Sequence, residues 1–459
     1  MKTNDRIFSH CKHPYLFFMN WFKIKSILFF RKEIHVLPRT LVSTIQWFLF
    51  IICTNIAPPL AIAASFELSG AETLSFLSRC LFVFAILSLF QVLLGHRLPI
   101  MEGPAGIWWG VFALYSSIGV TLYGSYSNTL QSLGFLLLLS GIICIILTVT
   151  GVLRRLVPLF TPQVIGVYML LLSAQLSGSV MKGLLNIEDG RIQVLPAVIS
   201  ILTVLISLYL ERSDRLRQYA LLITLLVGWS MFALIGRAEM PNFDGPLFTL
   251  PSLLPFGGIH VDWSLLPTAL IISLLLMTNV LANIKVIERI ISAKRGETVK
   301  GQVGTAGITA GIGQLFAGLF GTVGPVAISG TAGFIASTDN TDRKAFVYAN
   351  ITCLFLSIVT PFVGLIAKIP VAVGYAMVAP IVAGMAIIGV TEAARDLNRQ
   401  TAMITVGLPV LVGIGALLLP KGATADLPPL VTTLMSNGLV LGTLVALLAE
   451  GLRHIRTND

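Results

Sequence analysis

Of 459 residues, 55% are hydrophobic and only 11% are Asp, Glu, Lys or Arg, against roughly 25% charged in an ordinary soluble domain. So few charges cannot coat a soluble chain of this length, and apolar runs repeatedly approach the roughly 20 residues that cross a bilayer. The chain reads as an all-α polytopic membrane protein; soluble enzymes, DNA-binding domains and secreted disulfide scaffolds are excluded, and the net charge of +10 is assigned to cytoplasmic loops and not to a nucleic-acid partner.

In chain order, residues 1–42 form a basic amino-terminal segment. Within it, Tyr15 to Phe30 mixes aromatics with Lys23 and Lys25, which predicts an interfacial helix beneath the inner leaflet. No small-residue cleavage site follows, so a signal peptide is not expected. Cutting at polar and Pro/Gly breaks then gives fourteen spans, 43–65, 76–95, 99–122, 130–150, 161–180, 193–211, 218–236, 265–287, 303–322, 325–341, 344–367, 371–390, 401–419 and 429–450, and a tail at 451–459. With the amino terminus inside, 25 of the 31 Lys and Arg residues fall on the inner side. Arg79, Lys182, Arg191, Arg237, Lys368 and Lys421 fall outside. This split predicts a cell-membrane protein with both termini in the cytoplasm. The cysteines Cys11, Cys53, Cys80, Cys144 and Cys353 show no CxxC or metal spacing and read as small packing residues.

Two segments look alike across the seven-and-seven division. Leu98 to Trp109 reads LPIMEGPAGIWW and Gly324 to Ser337 reads GPVAISGTAGFIAS; Pro99 and Pro325 are 226 residues apart, which sets Gly103-Pro104 beside Ser329-Gly330. Seven is odd, so equivalent spans cross in opposite directions and the repeat is inverted. Paired Pro and Gly breaks predict short extended strands leading into half-helices near the midplane. The unpaired N–H groups at each half-helix start then need a partner, for which a polar substrate with carbonyl or ring-nitrogen acceptors is suited. Kinked helices closed by protein contacts alone are the bland alternative.

Between Pro99 and Gly103, Glu102 is read at the strand-to-helix junction, where the half-helix amino end would stabilise its charge. An intramembrane carboxylate is a functional candidate for substrate and proton, unless it pairs structurally with His96 or Arg97. Asn279 and Asn283 share a face of span eight and can donate to and accept from a base, or merely tie helices together. Trp108, Trp109 and Phe334 could stack on a planar ligand, although membrane aromatics more often pack. Five glycines between Gly304 and Gly324 indicate close helix packing. Glu392, Arg395, Asp396 and Arg399 read as a solvated or salt-bridged loop. No nucleotide-binding motif supports an ATP-driven pump.

Gln46 to Ala63 (QWFLFIICTNIAPPLAIA), Gly95 to Gly106 (GHRLPIMEGPAG), Gly151 to Gly166 (GVLRRLVPLFTPQVIG) and Gly321 to Thr338 resemble spans one, three, five and ten of the nucleobase/ascorbate transporter family, which includes bacterial uracil and purine permeases. The resemblance covers almost all of 43–450. It implies a fourteen-span 7+7 inverted repeat, with a core domain at 43–150 and 265–367 and a gate domain at 161–236 and 371–450. It further implies a purine-like nucleobase such as xanthine or urate, held between the strands and half-helices of spans three and ten and moved with protons by an elevator-like shift. Neither cofactor nor metal is implied; the partners are the substrate, protons, the lipid bilayer and a second copy in a homodimer. Taking the residue reading and the resemblance together, Glu102, Gly103, Asn279, Ser329, Gly330 and Thr331 are the substrate candidates, with Glu102 as the proton-coupling candidate.

The signature of span ten is Gln or Glu, Asn, any residue, Gly, four residues and Thr. Gly333 and Thr338 match it, but Gly330 and Thr331 stand where the acid or amide and the Asn are usual. Span eight usually carries an acid about eight residues after its opening Pro; from Pro267 that position is Leu275. Substrate and coupling therefore stay open. The rival readings are an anion transporter of the same 7+7 fold, which usually carries a soluble domain after its last span where nine residues follow Glu450 here, and a diverged non-transporting membrane protein.

Overall fold

The computed structural model describes residues 39–459 except 153–154, 156, 189–190, 214–215, 217–218, 238–245, 396–402, 421–422, 424–430, 432–434, 436–437 and 459. The interfacial helix expected at 15–30 lies outside the described residues, as do Asp396 and Arg399 and the side chain of Trp109.

The described elements are α1 (Arg39–Ser65), α2 (Gly70–Leu93), β1 (Glu102–Pro104), α3 (Gly106–Tyr123), α4 (Tyr126–Val149) and α5 (Pro162–Leu184). A small hairpin follows, β2 (Ile187–Glu188) and β3 (Arg191–Ile192), then α6 (Val194–Glu211), α7 (Ala220–Leu234), α8 (Leu266–Arg295) and α9 (Val303–Phe320). The chain continues through β4 (Pro325–Ala327), α10 (Gly330–Thr338), α11 (Arg343–Leu356), α12 (Thr360–Ala367), α13 (Val371–Ala393), α14 (Leu408–Leu417) and α15 (Gly438–Asn458). Among the described residues, eight helices are long and apolar enough to cross a membrane, and Ala220–Leu234 and Met403–Leu417 are shorter apolar helices.

Local chemistry explains several ends. Ser69 and Glu72 form a reciprocal capping box on α2, and Ser125 and Thr161 cap α4 and α5 through their hydroxyls, satisfying amide groups that a helix start leaves open. The chain leaves α3, α8 and α9 through left-handed Gly124, Gly296 and Gly321. With no breaker before Gly296, α8 runs to Arg295 and passes the expected end near 287; Lys294 and Arg295 in its last turn suit the negative end of the helix dipole.

One expected span is split. Residues 344–367 fold as α11 and α12, because Pro361 lacks the N–H that a continuous helix needs and is tolerated in a first turn. The opened backbone is re-satisfied from outside: Thr249 N–H donates to Ile358 O at 2.9 Å and Thr360 N–H to Leu247 O at 3.0 Å, while Ser78 Oγ donates to Ser357 O at 2.7 Å.

Helices α4 and α9 lie against each other, as do α8 and α4, and α11 and α2; α5 packs on α13, α13 on α6, and α14 on α15. The glycine-rich stretch makes the first of these contacts possible. A Cβ at Gly311 would come within 2.8 Å of Gly141 O, and one at Gly318 within 2.8 Å of Gly134 O, so the two backbones approach too closely for any side chain at the crossing. At another junction, Phe334 of α10 packs between Trp47 and Phe50 of α1, with ring centroids 4.3 and 4.6 Å apart.

Candidate substrate site

Strands β1 and β4 come from distant parts of the chain and pair antiparallel, Glu102 with Ala327, Gly103 with Val326 and Pro104 with Pro325. Their flanks are tied as well. Ala105 N–H donates to Gly324 O at 3.1 Å and Ile328 N–H to Met101 O at 2.8 Å. The strand–half-helix units expected from the two Pro/Gly breaks are therefore both present, with a corrected register. The half-helices open at Gly106 and Gly330, so Gly106, and not Pro104, is the counterpart of Gly330. Spacing by the prolines misled because Pro99 precedes its strand whereas Pro325 begins one.

A cavity of about 900 Å³ lies where the two half-helices begin. Neither Ala105 nor Ser329 caps its helix with a side-chain hydrogen bond; on α10 the Thr331 and Ala332 amides donate instead to Ile328 O at 3.1 Å and Ser329 O at 3.0 Å. Among the described residues lining the cavity there is no Asp, Glu, Lys, Arg or His. Its polar groups are neutral, notably Tyr168, Gln175, Asn279 and Ser329, set in an apolar wall that includes Phe50 and Leu275.

Of the six candidate residues, Asn279, Ser329 and Gly330 line this cavity; Glu102, Gly103 and Thr331 do not. Thr331 is fully buried and its hydroxyl accepts from Met101 N–H at 3.3 Å, which fastens α10 to the entry of β1. Gly103 has no room for a side chain, since a Cβ there would sit 2.4 Å from Asn55 Oδ1. Glu102 opens β1 and is not at the junction with α3. Its N–H donates to Ser88 Oγ at 2.9 Å, its side chain is buried, and Oε1 has no hydrogen-bond partner among the described residues.

Pairing with His96 is not seen among the described residues. Burial, with the Arg343 guanidinium adding to it, pushes the His96 imidazole down to about 3, so this side chain is neutral at physiological pH and no cation for Glu102. Its Nδ1 accepts from Leu98 N–H at 3.1 Å. The aromatic candidates are packing groups: Trp108 is fully buried and donates to Gln314 Oε1 at 2.8 Å, and Phe334 is enclosed by α1. Thr338 donates to Phe334 O at 2.7 Å within its own helix. Glu392 pairs with Arg289 at 2.6 Å, joining the ends of α13 and α8.

Tyr168 and Gln175 of α5 escaped sequence reading. Tyr168 is buried, is hydrogen-bonded to Ser329, and accepts from Asn279 Nδ2 at 3.0 Å. The available signal was a phenol tip within an apolar helix, which must find a polar partner when buried. Gln175 Oε1 is buried with no partner among the described residues.

The family model described as Permease family matches residues 38–422. YwdJ of Bacillus subtilis (strain 168), a candidate purine permease, is 36% identical over 422 residues, covering 90% of this chain and 95% of that protein. The nucleobase transporter PlUacP of Paenibacillus larvae is 25% identical over 411 residues, covering 85% and 89%. Among solved structures, SLC26A9 superposes with a TM-score of 0.57 at 12% identity, over 98% of this chain and 72% of that one. The inward-facing murine Slc26a9 anion transporter gives 0.54 at 12% identity, over 99% and 74%.

Proposed function

The chain belongs to the Permease family, and we propose that it carries a purine-like nucleobase across the cell membrane by secondary active transport, coupled to protons. The observation that carries this reading is the cavity at the two half-helix starts, whose described lining residues carry no charged side chain. A planar heterocycle offers carbonyl and ring-nitrogen acceptors to the hydroxyl and amide donors of the lining and donors to Gln175, while its faces meet apolar walls. A small inorganic anion held there is better served by a paired cation, because burying an unpaired charge is costly. The purine permease and nucleobase transporter relatives support the same choice; the anion transporter structures support the fold alone.

In this reading the fourteen segments are a 7+7 inverted repeat. Spans one to four and eight to eleven make a core carrying β1, β4 and their half-helices, and spans five to seven and twelve to fourteen make a gate. The packing of α9 on α4 and of α5 on α13 supports that division, and Tyr168 and the Arg289–Glu392 pair cross it. An elevator-like movement would break those bonds.

Labelled hypoxanthine and xanthine uptake, in cells lacking their own purine permeases, tests the assignment. Saturable uptake competed by urate and unaffected by sulfate is expected; sulfate uptake without purine uptake would overturn it. Orientation is tested separately. The charge asymmetry predicts that cysteines introduced at Arg191, in the exposed hairpin, react with an impermeant maleimide from outside intact cells, and that those at Arg212 and Lys344 do not. Labelling of the second pair in intact cells reverses the topology.

A further inference from the structure

The hydrogen-bond directions around Tyr168 can be followed from a group whose role is unambiguous. Ala327 O is a backbone carbonyl and only accepts, so the Asn283 group 3.0 Å from it is its NH2. The same amide nitrogen lies 2.7 Å from Asn279 Oδ1 and 2.9 Å from Asn279 O. Both are acceptors, so turning Asn283 over would set oxygen against oxygen three times. Asn279 Oδ1 is thereby committed to accept, which directs Asn279 Nδ2 to the Tyr168 oxygen at 3.0 Å. Tyr168 receives the Asn279 N–H on this side, and its oxygen is also hydrogen-bonded to Ser329 Oγ, a pair in which either hydroxyl can donate. Ser329 makes no cap bond on α10, has no other side-chain partner among the described residues and lines the cavity, so with Tyr168 as the donor of the pair Ser329 is the acceptor. Its own hydroxyl hydrogen is free to point there. The second hydrogen of Asn279 Nδ2, on a half-buried cavity-lining side chain, is free as well.

We infer that this relay locks Ser329 as a hydrogen-bond donor toward the substrate, with Tyr168 as its positioning residue, so that this face of the cavity selects bases presenting a carbonyl oxygen over bases presenting an amino group. The inference rests on the nucleobase reading above and goes further, because a serine hydroxyl left to itself rotates and serves either partner equally. A carbonyl oxygen can accept from Ser329 and Asn279 together, whereas an amino group opposes two donors and leaves them unpaired, the costly outcome at a buried polar site. Ser329 alone does not dictate this choice; the tyrosine on the facing helix does, while Asn283 fixes Asn279 as a donor.

Hypoxanthine and adenine differ at one edge, oxo against amino, and are the probes. Equilibrium binding of each labelled base to the purified full-length chain gives a ratio of dissociation constants. The wild type should prefer hypoxanthine by roughly tenfold or more, the scale of one satisfied against one unsatisfied hydrogen bond. Ser329→Ala, which leaves the Asn279 donor in place, should lower the ratio by about fivefold or more, and Ser329→Thr, which retains the hydroxyl, should keep it. Tyr168→Phe should lower the ratio by about fivefold or more by freeing Ser329 to accept, and should change nothing further when added to Ser329→Ala. A packing role for Tyr168 would weaken both bases together and leave the ratio alone, and that result overturns the inference. Should Tyr168→Phe not fold, the Ser329→Ala and Ser329→Thr pair decides it. A wild type that binds neither base overturns the transport reading and the donor assignment with it; one that binds purines with a ratio unmoved by these variants overturns the donor assignment alone.

Discussion

Uptake by Gly330→Leu is expected to fall to background while the protein reaches the membrane in wild-type amounts, and Gly330→Ala is expected to transport. Gly330 opens α10 and lines the cavity. A Cβ there would meet Ile328 Cγ2 at 3.5 Å and Phe50 Cζ at 3.7 Å, ordinary contact distances, and Gly330 is not among the glycines of positive φ. A methyl group therefore fits without strain, and folding does not require glycine here. The further carbons of leucine have the cavity beside the first turn to enter, where they would fill space that a ring needs beside Ser329. Uptake and membrane abundance measured on both variants separate this from a folding defect. Normal uptake by Gly330→Leu would mean that the substrate does not approach α10, and the cavity would lose its assigned role.

The breaks that build this site were legible because Pro and Gly act locally. A missing N–H or a missing Cβ limits the backbone wherever it stands, so the Pro99 to Gly103 and Pro325 to Gly330 segments announced interrupted helices without any knowledge of their neighbours. Register was not legible, because the pairing of Glu102 with Ala327 depends on contacts far apart in sequence, and proline spacing was a poor substitute. The same limit hid Tyr168. Its surroundings, from Val164 to Leu172, are apolar in sequence, and only the fold brings Ser329 and Asn279 to the phenol. Asn279 and Asn283 were read correctly as sharing a face; that one orients the other required the position of Ala327 O. Pro361 was visible, but its power to divide a span depended on residues 247–249 arriving to satisfy the opened backbone.

Glu102→Gln is expected to uncouple accumulation from the pH gradient while leaving exchange in part intact. Among the described residues Glu102 is a buried carboxylate with no ion pair, and Oε1 has no hydrogen-bond partner. It lies in β1, outside the cavity lining but on the strand that pairs with the approach to Ser329 and Gly330. A proton held there would be carried with the strand pair without touching the substrate, which would put coupling on the strand and recognition in the cavity. Gln preserves size and can occupy the same space, but it cannot gain or lose a proton. With one proton moved per base, a gradient of one pH unit sustains about a tenfold concentration ratio; in Glu102→Gln that ratio should collapse toward unity. Exchange of labelled for unlabelled base between compartments at equal pH moves no net proton and should persist, with hypoxanthine binding close to wild type because no cavity group has changed. Proteoliposomes with an imposed pH step, assayed for both accumulation and exchange, provide the comparison. An unchanged accumulation ratio and an unchanged pH response in Glu102→Gln would make the carboxylate a structural part of the strand pair and would place coupling on another group.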